Sequence, residues 1–383
     1  MKHFVGSLLL VTLFALAATP AAAQTRYLAF GDSITAGVGD DSTRTDPGYP
    51  SRLQALLVGA GQDAVVLNRG LGAERTPEGL LRLDSVLGEG GQVLLLMEGT
   101  NDITKDIGLE TTRANLNLMA QRAEARGMRV IMATLIPRIP NARVDGENLL
   151  NQEQCELIRN AAGNRLRDLA DPFEVFGSQA NLFGTLYWLD PQDGVGHPNA
   201  AGYDLMAQIF FDVITGRDSV PPVTGVINPP SGSRGVNGGA PIELDLWEFG
   251  AGIDRAATRL SVNGQQVDAV FEGDSRHLIL TYQPASALSG LVTLSLQSRD
   301  LATPPNAVNR DVAWFLTFGT TFFPGDLDRS GRVDGEDLLT FARAFGARTG
   351  ERRFNEAADL TGNGEVDGQD LAQLAANFGR TSR

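Results

Sequence analysis

Phe30-Gly31-Asp32-Ser33-Ile34-Thr35 sets a hydroxyl directly behind a short apolar run, Tyr27 to Phe30. A serine hydroxyl attacks a carbonyl only when a neighbouring base takes its proton, and histidine is the side chain whose ordinary pKa suits that task. The chain has three histidines. His3 lies in the N-terminal apolar segment and His277 in a region of alternating strands, which leaves His197 as the candidate base. It stands in Asp193-Gly194-Val195-Gly196-His197-Pro198-Asn199. Between the two, Gly99-Thr100-Asn101-Asp102 follows a second apolar run, Val93 to Met97, and Asn101 carries two amide N–H donors. Gly31 permits a sharp turn, and the Ser33 N–H near a helix start could face a developing oxyanion. Asp32 and Ser33 also suit a helix N-cap, and Gly99 to Asp102 suits a plain turn.

A second constellation lies near the C-terminus. Asp326-Leu-Asp-Arg-Ser-Gly-Arg-Val-Asp-Gly-Glu-Asp337 recurs 33 residues later as Asp359-Leu-Thr-Gly-Asn-Gly-Glu-Val-Asp-Gly-Gln-Asp370. Oxygen donors fall at positions 1, 3, 5 and 12 of each copy, with glycine at 6, the spacing an EF-hand loop uses around Ca²⁺. The first loop would offer Asp326, Asp328, Ser330, the Arg332 carbonyl and Asp337. The second would offer Asp359, Thr361, Asn363, the Glu365 carbonyl and Asp370, with Asp334 and Asp367 acting through water at position 9. Each copy runs into an apolar helix, Leu338 to Phe345 and Leu371 to Phe378.

These groups need a scaffold. Tyr27 to Phe30, Ala64 to Leu67, Val93 to Met97 and Met128 to Thr134 read as buried strands. Pro50 to Val58, Glu78 to Leu87, Thr111 to Arg126 and Leu149 to Leu169 carry apolar residues at helical spacing. Their alternation predicts an α/β fold with a doubly wound parallel sheet, whose strand ends would gather Ser33 and Asn101. At Pro221-Pro222 the character changes, and Asn228 to Gly239 reads as a linker. Ile242 to Leu246, Arg259 to Val262, His277 to Tyr282, Leu291 to Ser298 and Val312 to Phe318 then predict a β-sandwich. The expected division is 1–23, 24–217, 218–320 and 321–383, the last a small α-helical EF-hand-like module.

Composition excludes some partners. A net charge of -14 without a basic stripe argues against nucleic-acid binding. Residues 1–23 read as a cleaved signal peptide, with Lys2 before the apolar run Leu8 to Ala18 and Ala21-Ala22-Ala23 for cleavage. That run is short of a bilayer span, so the expectation is a secreted or extracytoplasmic protein with no membrane span. Cys155 is the single cysteine, so no internal disulfide can form.

The blocks around Ser33, Asn101 and His197, in this order, resemble the SGNH (GDSL-like) hydrolases. The resemblance implies a flavodoxin-like fold and a serine ester hydrolase that needs no cofactor for catalysis. It implies that Asn101 donates to the oxyanion together with the Ser33 N–H and a backbone N–H from the second block, Asn68-Arg-Gly-Leu-Gly72-Ala73. Ala73 stands at that family's glycine, with Gly72 adjacent. The orienting Asp normally precedes the His by three residues. Here that position is Gly194, so Asp193 is the candidate and Asp190 the reserve. Leu260 to Gly264 and Trp314-Phe315 resemble bacterial immunoglobulin-like domains. The repeat resembles dockerin type I modules, which implies structural Ca²⁺ and a cohesin partner. The substrate class expected is a carboxylic ester, on a carbohydrate or a lysophospholipid. The alternative is a catalytically silent surface-binding protein that uses the α/β domain as a binding module.

Overall fold

The computed structural model describes residues 24–105, 107–138, 145–179, 181–188, 196–317, 323–328, 331–349, 353–355 and 357–381. The N-terminal half alternates as expected. Its elements are β1 (Thr25–Gly31), α1 (Ser33–Ala36), α2 (Tyr49–Gly59), β2 (Ala64–Gly70), α3 (Thr76–Leu87), β3 (Val93–Met97), α4 (Thr100–Thr104), α5 (Leu109–Glu124), β4 (Arg129–Ala133), α6 (Asp145–Gly163), β5 (Asp168–Ala170), α7 (Pro172–Gly177), α8 (Leu182–Thr185) and α9 (Ala200–Thr215). The five strands pair in parallel in the order β2-β1-β3-β4-β5.

Both faces of this sheet are covered, which is why β1 and β3 are almost continuously apolar. Tyr27, Ala29, Leu95, Met97 and Ile131 face one core, shared with Tyr203 and Phe210 of α9. Leu28, Phe30, Leu94, Leu96 and Met132 face the other, shared with Leu83 of α3 and Met119 of α5. The strand order reverses between β1 and β3, and at that crevice the two strands come close together: a Cβ added at Gly31 would lie 2.1 Å from the Met97 carbonyl oxygen. Only glycine lets β1 turn into the serine block there.

One expected helix is shorter than its sequence pattern. Leu149 to Leu169 is not a single helix, because α6 stops at Gly163 and Asp168–Ala170 pairs with β4 as the fifth strand. The stop is a Schellman-type turn: the Arg167 N–H reaches the Ala162 carbonyl, and Leu166 takes the left-handed conformation at φ 54°.

Downstream, β6 (Val223–Asn228), β7 (Ile242–Trp247), β8 (Arg259–Val262), β9 (Gln265–Val267), β10 (Val270–Gly273), β11 (His277–Tyr282), β12 (Leu291–Arg299) and β13 (Ala307–Leu316) form two antiparallel sheets. Their orders are β10-β11-β7-β6 and β13-β12-β8-β9, closed over a core that includes Leu244, Leu246, Leu280, Leu294 and Phe315. The expected strand at Val312 to Phe318 begins earlier, at Ala307, and β6 lies just ahead of the expected linker.

The C-terminal repeat builds α10 (Gly335–Ala344) and α11 (Gly368–Asn377) over a small core of Val333, Phe341, Ala344, Ala358, Val366 and Leu374. Val333 and Val366, like Phe341 and Leu374, are equivalent across the repeat. Among the described residues, no helix is long and apolar enough to cross a membrane.

Candidate active site

Ser33 opens α1 at the C-terminal edge of β1, and the side chain of Asp32 caps the helix by accepting the Ile34 N–H at 2.9 Å. Asn101, in α4, leaves β3 at the neighbouring strand end. The two therefore flank the point where the strand order reverses, the usual ligand crevice of an open α/β sheet.

His197 arrives from the far end of this half of the chain. Its carbonyl accepts the Trp188 N–H at 2.9 Å, and Asn199, two residues on, caps α9 by accepting the Gly202 N–H at 3.0 Å. Tyr203 of α9 donates its hydroxyl to the Val38 carbonyl at 2.6 Å, which ties the histidine loop to the serine loop. The outcome is a contact of 2.8 Å between His197 Nε2 and Ser33 Oγ, with both residues 9% exposed. That is hydrogen-bonding reach for proton transfer from a hydroxyl that keeps a solvent-facing side. Asp193 and Asp190 lie outside the described residues.

The second-block loop sits on the other flank. The Asn101 side-chain amide donates to the Glu74 carbonyl at 2.8 Å, which places it beside Ala73, and the same nitrogen carries a second N–H. Ala73 holds φ 61°, the left-handed conformation that glycine adopts without strain. Glu74 is braced from below: Arg82 pairs with its carboxylate, donates to the Arg69 carbonyl at 2.8 Å, and stacks 4.0 Å from the Phe30 ring centroid. Asp102 accepts the Thr76 N–H at 2.9 Å and the Thr112 hydroxyl at 2.7 Å, joining α4 to α3 and α5.

Beneath the site lies a buried acidic layer that motif reading did not single out. Glu98, between β3 and Gly99, is 0% exposed with neither carboxylate oxygen hydrogen-bonded. Burial, then the nearby Asp32 and Glu74, hold its carboxyl well above the usual range. Its signal in the sequence was a lone acid ending the apolar run Val93 to Met97. Asp32 is likewise fully buried, and burial pushes it up to about 6, opposed by the Ile34 N–H bond and by His197. A carboxyl raised by folding stabilises the native state below its unfolded pKa and loses that contribution as pH rises through the native value. Asp32→Asn keeps an oxygen for the cap and carries no charge. It is expected to raise the melting temperature above about pH 7, by at most about 3 kcal/mol of stability, with the gain vanishing below about pH 4. Thermal melts of both proteins at the two pH values check this.

In the C-terminal repeat, one carboxylate oxygen each from Asp326, Asp328 and Asp337 lie within 4.8 Å of one another. Asp326 Oδ1 is buried without a hydrogen-bond partner, while Oδ2 accepts the Gly331 N–H at 3.0 Å, and Gly331 takes φ 83° at loop position 6. In the second loop Asp359 accepts the Asn363 and Gly364 N–H groups at 3.0 and 2.8 Å, with Gly364 also at φ 83°. Asp370 accepts the Thr361 N–H and hydroxyl at 2.8 and 2.9 Å. Hard oxygen donors and an orphaned buried oxygen fit Ca²⁺. Ser330 lies outside the described residues.

Residues 29–205 match the model of the GDSL-like Lipase/Acylhydrolase family. Residues 324–378 match the model of the Dockerin type I domain. Esterase TesA of Pseudomonas aeruginosa is 37% identical over 113 residues, 29% of this chain and 54% of that protein. An arylesterase of Vibrio mimicus is 31% identical over 132 residues, 34% of this chain and 63% of that protein. The chain thus spans between half and two thirds of the length of these curated relatives. Among solved structures, the lipase/acylhydrolase from Enterococcus faecalis aligns with a TM-score of 0.45 and 24% identity, covering 51% of this chain and 97% of that one.

Proposed function

We propose that the protein is an exported serine esterase in which Ser33 is the nucleophile and His197 the general base. The observation that carries this reading is the 2.8 Å contact between Ser33 Oγ and His197 Nε2 at the β1/β3 crevice, beside the Asn101 amide. In this mechanism Ser33 attacks the ester carbonyl as its proton passes to His197, and the protonated imidazole then gives that proton to the leaving alkoxide. Water repeats the cycle on the acyl-enzyme. The Ser33 N–H, the backbone N–H of Ala73 or Gly72, and the Asn101 amide would hold the oxyanion. Asp193, with Asp190 in reserve, is proposed to orient His197. The signal peptide is assigned to 1–23, the GDSL-like unit to 24–217, the immunoglobulin-like sandwich to 218–320 and the dockerin unit to 321–383.

The tail favours a substrate ester borne on a polysaccharide over a lysophospholipid, since a docking module would hold the enzyme near an insoluble assembly through a cohesin. The ten donors from Asp326 to Asp370 named above are proposed as its calcium ligands. Hydrolysis of p-nitrophenyl acetate, with trapping by a fluorophosphonate and mapping of the adduct, tests the catalytic part. An adduct on Ser33 is expected, and one elsewhere, or no turnover by folded protein, would sink it. Asn101→Ala is expected to lower kcat by about 10²–10³ with KM little changed, because its donor strengthens only as charge develops. Steady-state kinetics on the same ester measures this.

A further inference from the structure

The joint between the GDSL-like domain and the β-sandwich contains an acidic pair that ester hydrolysis does not use. Glu248, at the end of β7, is 4% exposed, and its Oε1 accepts the Gly250 N–H at 2.6 Å. Asp218, in the segment leaving α9, accepts the very next amide, Ala251 N–H, at 2.8 Å through Oδ2. One turn therefore gathers two carboxylates from distant parts of the chain on successive N–H groups. Glu248 Oε2 remains buried without a hydrogen-bond partner, and among the described residues Glu248 has no ion pair. Both acids line a cavity of about 340 Å³ that reaches Asp168 and Val213.

Nearby charges do not resolve the excess. Arg129 on the cavity wall pairs with Asp168 at 2.6 Å, and Arg217 lies 3.8 Å from Asp212. Asp300, 1% exposed, adds a third negative charge, with its oxygens already accepting the Ala302 N–H, the Asn306 N–H and the Asn306 amide. Burial, followed by Asp218 and Asp300, pushes Glu248 up to about 8. A buried oxygen in this position needs either a proton or a cation.

We propose that this joint binds a divalent cation of the calcium type through Glu248 Oε2 and the second carboxylate oxygen of Asp218. Two hard oxygen donors beside a cavity with room for water suit Ca²⁺, which takes several oxygen ligands in flexible geometry. Because Asp218 lies on the segment between the domains and Glu248 on the sandwich, the ion clamps one domain to the other. This site is separate from the dockerin loops and from the esterase chemistry.

The test uses the full chain with both dockerin loops disabled by Asp326→Asn, Asp337→Asn, Asp359→Asn and Asp370→Asn, titrated calorimetrically with calcium chloride after chelator treatment. One calcium equivalent per chain is expected to remain, with an upward shift of the main melting transition. Adding Glu248→Gln, or separately Asp218→Asn, is expected to remove both the equivalent and the shift. A loop-disabled chain that binds no calcium and melts at the same temperature with and without it overturns the proposal, leaving a proton on Glu248. Binding that survives both single substitutions in folded protein overturns it equally.

Discussion

Ser33→Ala is expected to lower kcat for p-nitrophenyl acetate by roughly 10⁴–10⁶, about 5–8 kcal/mol of transition-state stabilisation. His197→Ala is expected to do nearly the same. The double substitution should cost little more than either single one, because a hydroxyl without its base and a base without its hydroxyl are both idle. The cost to the fold is small by comparison. Ser33 and His197 each keep a solvent-facing edge, and their backbones are held by neighbours rather than by their own side chains: Asp32 caps α1, and Asn199 caps α9. The expected result is thus a protein with an unchanged melting profile and almost no turnover. If Ser33→Ala retained more than a hundredth of wild-type activity, the nucleophile would have to be sought elsewhere; a loss in Ser33→Ala with full activity in His197→Ala would remove the histidine from its role.

The pairing on which that rests was legible because chemistry narrows the choice. Among three histidines only His197 fell within the alternating strand-and-helix region, and the two apolar runs ending at Phe30 and Met97 placed Ser33 and Asn101 at strand ends. What stayed hidden was conformational or collective. Leu166 occupies a left-handed position usually marked by glycine, so the end of α6 had no punctuation and β5 was absorbed into the expected helix. The stretch Asn309-Arg310-Asp311 is polar because β13 is an edge strand with an exposed face, and alternation therefore failed to reveal its first half. The Glu74–Arg82 brace and the acidic layer around Glu98 depend on side chains from separate elements meeting under the site. No local pattern reports such a meeting. Glu248 and Asp218 are the same case at the domain joint: 30 residues apart in sequence, they meet on two successive amides of one turn.

Removing calcium is expected to unfold the dockerin module while leaving the GDSL-like core intact. Among the described residues the module's apolar core is six buried residues with a few half-buried ones around it, too little to offset chain entropy in so short a segment without a metal or a disulfide. With Cys155 the single cysteine and buried in the other half of the chain, no disulfide is on hand. The first loop is also electrostatically opposed to folding alone: burial, with Asp337 and Asp328 close by, pushes the Asp326 carboxyl up to about 6. A cation converts that repulsion into ligation. At free calcium a hundredfold above the dissociation constant, each site would contribute about 2.7 kcal/mol. Limited proteolysis with EDTA is therefore expected to cut rapidly between Phe323 and Thr381 and to leave the segment from Thr25 to Thr215 resistant. Excess calcium should restore protection, and Asp326→Asn should reproduce the EDTA pattern around the first loop. Equal digestion of the tail with and without the chelator would show that its two helices hold together on their own, and the calcium assignment would fail.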